Sequence, residues 1–195
     1  MSAQRQPSIA PPARRLRRPE RRDQILAAAT RAFARSGFAA TSLDDVAAEA
    51  GVSRVILYRH FESKTDLYRA VLDRACARLA AAVGDEFTAS TMDALLGAAA
   101  EDPDGFRLLF HHAAREPEFR AEMDRFQADS VDIAHRYLAS QISDPAWASW
   151  AAHLAPTVAV DAVIAWLDAG QPDRDRTAAR ILQVLGAITA VAQSG

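Results

Sequence analysis

TSLDDVAAEAGVSRVILYRHF, residues 41–61, is the stretch on which the fold of this chain turns. It reads as two short helices joined by a tight turn. Ser42 is a good N-cap, because its hydroxyl can accept from an orphan backbone N–H in the first turn, and Asp45 three residues on completes a box of the Ser-x-x-acid kind. Val46, Ala47 and Ala50 recur at helical spacing. Gly51 stands where a helix stop wants a left-handed residue. Val52 is apolar and pins the turn to a core. Ser53 caps a second helix in which Val55, Ile56 and Leu57 alternate with Arg54, Tyr58, Arg59 and His60. One side of that helix can bury while the other presents donors. This is the grammar of a helix-turn-helix, whose second helix can enter a DNA major groove. Helical hairpins with Gly in the turn also occur without binding anything, so the pattern is a hypothesis until its surroundings are known.

Its surroundings carry a family resemblance. The run from Arg22 to Leu72 resembles the N-terminal DNA-binding domain of the tetracycline-repressor (TetR-like) family of bacterial transcriptional regulators. The matching pieces are IL-AAA--AF---GF at 25–38, T-S-L--VA--AGVS at 41–53, LYRHF at 57–61 and SK-DL at 63–67. The chain departs from the family at Val55–Ile56, where many members carry a Gly or other small residue. Two branched side chains stiffen the helix there and leave the base preference open.

Composition agrees with an all-α fold. Half of the 195 residues are hydrophobic, Gly and Pro are few, and alternating Val/Ile runs are missing. The length suits a small domain plus a larger one. The division read from the sequence is a basic arm over 1–19, a three-helix DNA-binding domain over 20–66 with its motif at 42–61, and a larger helical domain over 67–195. About nine helices are expected in total. Charge follows the same division. Residues 1–72 hold thirteen Lys/Arg against seven Asp/Glu, and the rest ten against eighteen. A basic first third on an acidic remainder suits a protein that meets a polyanion with one end.

In chain order, the arm has four prolines and five arginines with few apolar residues to order it. It can lie along phosphates or in a minor groove, or remain a solvated tail. A bracing helix over 20–36 follows, ended by Gly37 and plugged by Phe38. Arg21 and Arg22 at its start can touch phosphate. In the reading pair, Arg54 is the candidate for bidentate contact with guanine, and a phosphate clamp is its other role. Val55 can pack on a thymine methyl. Tyr58, by its place in the family motif, is a phosphate contact, and His60 matches a position that meets DNA backbone. Arg59 and Ser53 complete this face. Lys64 resembles the family lysine at the start of the fourth helix, where ammonium and helix dipole converge on a phosphate. Thr41 and Ser42 can reach phosphate or simply cap.

The fourth helix runs from Lys64 to about Val83. Five more follow, over 92–100, 103–117, 118–142, 145–168 and 174–192. The resemblance implies a ligand-responsive homodimer. Ala159, Val163 and Trp166 with Leu185 and Ile188 form the expected dimer face, the alternative being an internal core. Phe106, Phe110, His111, Phe126, Trp147, Trp150 and Leu154 gather where the family keeps its effector pocket, beside a kink expected at Pro156. The implied partners are double-stranded DNA with a palindromic operator and a small apolar or aromatic effector.

Other classes are disfavoured. The single Cys76 excludes an internal disulfide and a multi-cysteine zinc site, and a reducing cytoplasm fits. The longest charge-free run of the second half, 145–160, is shorter than a typical membrane span. His111 and His112 point about 100° apart on a helix and share a metal poorly. No nucleophile motif and no Gly-rich phosphate loop appears, so no cofactor, metal or catalytic residue is assigned. The expectation is a bacterial, cytoplasmic, nucleoid-associated repressor that is not an enzyme. Its rivals are an effector-independent DNA scaffold and, further off, a small helical enzyme.

Overall fold

The computed structural model describes residues 16–88 and 90–194. Among these there are helices and no strand. The first is α1 (Arg18–Ala40). It starts earlier than the bracing helix read from sequence, so Arg18 and Pro19, counted to the arm, are helical. Arg17 closes its first turn on Glu20, donating both its backbone N–H and its guanidinium to the carboxylate. The arm up to residue 15 lies outside the described residues.

The helix-turn-helix comprises α2 (Leu43–Ala50) and α3 (Arg54–Tyr58). Its caps are those the residues dictate. The Asp45 N–H donates to Ser42 Oγ at 3.1 Å, while Asp45 Oδ2 accepts from the Ser42 N–H at 2.8 Å. The Ser42 hydroxyl, donating to the same carboxylate at 2.6 Å, and then the Ser42 N–H hold the Asp45 carboxyl below its usual range. Gly51 takes φ 61°, ψ 34°, a left-handed stop that would cost another residue about 1–2 kcal/mol. Gly37 breaks the end of α1 at φ 74°, ψ 173°. Arg31 and Arg35 of α1 both pair with Glu49 of α2, at 2.8 and 2.7 Å.

The fourth helix, α4 (Lys64–Val83), is capped by Ser63. It joins the two halves through one aromatic knot. Tyr68 lies edge-on to Phe33 at 4.8 Å between centroids, and Phe119 stands 4.5 Å from Tyr68 and 5.0 Å from Phe38. The core of the first three helices is therefore continuous with that of the rest. The Tyr68 hydroxyl is buried there without a hydrogen-bond partner, and burial raises its pKa.

Beyond α4 come α5 (Thr91–Glu101) and a broken segment where one helix was expected over 103–117. It consists of α6 (Pro103–Arg107), a π turn (Leu108–His112) and two 3-10 turns (Ala113–Arg115, Pro117–Phe119). The Ala113 N–H reaches back five residues to the Leu108 carbonyl, which defines the π winding. Then α7 (Arg120–Leu138), α8 (Pro145–Asp168) and α9 (Arg174–Gln193) pack together. The Asp144-Pro145 start of α8 is as read, with Asp144 Oδ1 accepting from the Ala146 N–H at 2.8 Å. At Pro156 the chain stays helical. The proline has no N–H for the carbonyl a turn earlier, and the next residue, Thr157, donates its hydroxyl to the His153 carbonyl at 3.2 Å.

Two expectations about α8 need correction. By length and composition the helix is apolar enough to cross a membrane, because the single Asp161 barely interrupts the charge-free run. In the structure one face of it is buried inside the protein by Ala151, Ala152, Ala159 and Val163. Second, Ala159, Val163, Trp166 and Leu185 are covered within a single chain, and Ile188 is half-buried. The internal core accounts for them, with the Trp166 indole N–H donating to the Pro172 carbonyl.

Candidate functional site

A helix of five residues, α3, has too few internal bonds to stand alone, so its placement comes from packing. Leu57 is wholly buried and Phe61 nearly so, each contributing about 1.5–3 kcal/mol of burial. Arg22 of α1 clamps the helix end, its guanidinium 4.3 Å from the Phe61 ring centre and bonded to the His60 carbonyl at 3.1 Å. Gln24 of α1 likewise donates to the Ala50 carbonyl at 2.8 Å, just before the turn. With its inner face fixed, α3 offers an outer one. Val55 is 63 % exposed and Tyr58 46 %, and Arg54 and Arg59 are also exposed.

Arg54 is held ready in the free protein. One guanidinium nitrogen bonds Asp44 Oδ2 at 3.0 Å, and another donates to the Tyr58 hydroxyl at 3.3 Å. An exposed pair of this kind contributes only about 0–1 kcal/mol, against roughly 1–3 kcal/mol for a bidentate base contact. The arginine can therefore leave Asp44 for a base edge.

The other residues read as DNA contacts fall into two groups. Ser42 and Ser53 are N-caps at the exposed edge of the motif, the Ser53 hydroxyl accepting from the Ile56 N–H. His60 is half-buried, and its pKa is lowered by burial and then by the positive charges of Arg18, Arg22 and Arg21. This clustering of the start of α1 with the end of α3 is a basic site that sequence order concealed, since Arg18 was counted to the arm. Thr41 and Lys64, in contrast, turn inward. Thr41 is buried, and its hydroxyl donates to the Gly37 carbonyl at 2.8 Å. The Lys64 ammonium donates to the carbonyls of Phe38 and Thr41, at 2.8 and 3.1 Å, and lies over the Phe38 ring. Both close the orphaned carbonyl end of α1.

A second concave feature lies in the larger half. A cavity of about 650 Å³ is walled by α4, α5, α7, α8 and α9. Phe110, at the π turn, and Phe126, on α7, face it, with their centroids 6.2 Å apart. So do Ala155 and Pro156 beside Ala159. The other residues read as pocket-lining lie elsewhere. Phe106 borders a smaller cavity of about 410 Å³ between α4, α5 and α6, into which the Arg78–Asp102 pair projects. Trp147 and Trp150 lie edge to face on the outer side of α8, about 40 % exposed. Leu154 and His111 are half-buried and off the cavity wall. Cys76 and Leu79 of α4 do line the cavity, which sequence reading missed, and burial pushes the Cys76 thiol up to about 11. No group of three metal-ligating side chains occurs among the described residues.

Comparison with known proteins places this geometry. Residues 25–71 match the pattern of the bacterial regulatory proteins of the tetR family. The chain is 36 % identical over 119 residues to the HTH-type transcriptional activator FasR of Mycolicibacterium smegmatis, covering 56 % of this chain and 54 % of that one. It is 50 % identical over 54 residues to the HTH-type transcriptional regulator TtgR of Pseudomonas putida, covering 28 % and 26 %. The chain thus spans about half the length of the first relative and about a quarter of the second. In fold, it resembles a TetR-like transcriptional regulator from Rhodococcus sp. RHA1, with a TM-score of 0.75 at 22 % identity over 93 % of this chain and all of that one. A tetR-family regulator from Streptomyces coelicolor gives 0.71 at 23 % identity, over 92 % and 84 %. Residues 25–71 thus form a DNA-binding domain of the tetR family, set in a helical fold similar to that of TetR-like regulators.

Proposed function

We propose that this protein is a dimeric, sequence-specific DNA-binding regulator of transcription that acts as a repressor. In this reading an apolar small molecule in the large cavity releases it from a palindromic operator, in a bacterial cytoplasm. The observation that carries the reading is the outer face of α3, where Arg54, Val55 and Tyr58 stand exposed on a helix whose inner face is locked in the core. An exposed valine and tyrosine flanked by arginines suits a groove of bases and phosphates.

The dimer face proposed is the one left uncovered. On α8 it holds Trp147 and Trp150 with the half-buried Leu154, and on α9 Val184, Ala187 and Val191, each set at the same helical spacing. Two such helices meeting their copies form a four-helix interface and set the two α3 helices about one DNA turn apart or somewhat more. The effector reading rests on the cavity's aromatic wall and on the length of α4, which touches both the cavity and the aromatic knot.

The test is selection from random duplex DNA. The expected result is enrichment of an inverted repeat, lost with Arg54→Ala. Enrichment of no sequence, with tight binding retained, favours the scaffold reading. A reporter carrying the selected repeat fixes the sign of regulation, since similar chains include one named an activator and one named a repressor.

A further inference from the structure

The cavity wall is specific about charge. Four of its polar side chains donate to backbone. Ser130 Oγ donates to the Phe126 carbonyl, Thr189 Oγ1 to Leu185 at 3.2 Å, Gln141 Nε2 to Tyr137 and Gln193 Nε2 to Gln141 at 3.0 Å. Their oxygens can accept from a guest, beside the second amide N–H of each glutamine and the hydroxyls of Thr91 and Tyr137. The aromatic residues Phe87, Phe110, Phe126 and Tyr137 border the same space. No Lys, Arg or His lines it among the described residues, and the one charged residue that does is Asp129 on α7. The connection after α4 adds Asp85 and Glu86 between Gly84 and Phe87, two residues of the wall, with the Arg136 guanidinium bonded to the Asp85 carbonyl at 2.7 Å.

An anionic headgroup brought to the Asp129 rim meets a like charge and no cationic side chain of the wall, so its lost hydration is poorly compensated. A cation meets the Asp129 carboxylate, carbonyl oxygens and ring faces, all of which attract it. We infer that the effector is a lipophilic monocation, with an apolar or aromatic body in the cavity and its positive head at the Asp129 rim. The inference rests on the effector reading above and names the class of molecule that the site takes.

The discriminating probes share one tail and differ in head charge: decyltrimethylammonium, decanol and decanoate. Each is titrated calorimetrically into the full chain at neutral pH, below micelle-forming concentrations. The cation binds about tenfold or more tightly than the carboxylate, the alcohol falling between, as a rim charge and a cation–π contact together give. Asp129→Asn, an exposed change on α7, lowers the cation's advantage over the alcohol several-fold and leaves the alcohol's affinity in place. Equal or tighter binding of decanoate overturns the inference, as does a cation preference that Asp129→Asn leaves unmoved. The cavity itself is controlled by Gly186→Phe. Gly186 borders the cavity and a Cβ there meets nothing within 4 Å, so a bulky side chain has open space at this point of the wall. Loss of all three probes in that variant supports the site. Binding that survives it, or three probes that never bind, overturns the effector reading and the cation with it.

Discussion

The ammonium of Lys64 stands 2.8 Å from the carbonyl oxygen of Phe38 and 4.3 Å from the centre of the same residue's ring. One side chain thus holds the start of α4 to the end of α1. Charge-assisted bonds of this kind contribute about 1.5–3 kcal/mol. Lys64→Met is expected to lower the urea midpoint by a corresponding amount while leaving the salt dependence of DNA binding unchanged. A slope reduced by about one would instead assign the lysine to a phosphate.

Asp44 holds the guanidinium proposed to read DNA. Asp44→Ala removes the competitor and a negative charge beside the groove, so DNA affinity should rise a few-fold, in keeping with an exposed pair of about 0.2–1 kcal/mol. Arg54→Ala should lose about 1–3 kcal/mol of discrimination at one base pair. Titration against operators substituted one pair at a time shows whether the loss is local. A uniform loss would make Arg54 a phosphate clamp.

His60 is expected to link pH to both folding and DNA binding. Its pKa in the free protein is lowered from 6.5, by burial first and by Arg18, Arg22 and Arg21 next. The unfolded chain therefore takes up this proton at higher pH than the folded one. The stability involved is present above 6.5 and is lost as pH falls through the folded value. A phosphate beside the cluster offsets the arginines and raises the pKa, so affinity for DNA should increase as pH falls across the same window. His60→Gln should flatten both profiles, in thermal melts and in binding isotherms.

Gly37 holds a backbone conformation that only glycine adopts readily, φ 74° with ψ 173°. Gly37→Ala should cost about 1–3 kcal/mol from strain alone. The added Cβ would meet His112 Nδ1 at an ordinary 3.6 Å, so strain and not collision is what a denaturation curve should register.

The uncovered face of α8 and α9 predicts assembly. Trp150→Glu should leave the helical content intact and convert a sedimenting dimer to monomer, with a marked loss of affinity for the inverted repeat. A dimer that persists would move the interface elsewhere.

What could be read from sequence was what local chemistry controls. Ser42 with Asp45, Gly51, Ser53, Ser63 and Asp144-Pro145 each define a boundary within a few residues, and the structure keeps them. Facing was harder. Residues of α8 are apolar on most sides, so periodicity did not distinguish the inward Ala159–Val163 side from the outward Trp147–Trp150 side. Lys64 and Thr41 carry polar groups suited to phosphate, but the nearby carbonyls ending α1 take them first. The π turn left no trace in composition, because it differs from an α turn by a single residue.

That surplus residue has a mechanical meaning. Leu108–His112 winds five residues into a length that an α-helix fills with fewer. Phe110 within it borders the cavity, while His112 neighbours Gly37 at the base of the reading domain. The coil thereby contains slack: rewinding it by one position would rotate everything downstream by roughly a quarter turn without breaking the chain's continuity. An occupant pressing on the phenylalanine would therefore act on a segment that also reaches the end of α1.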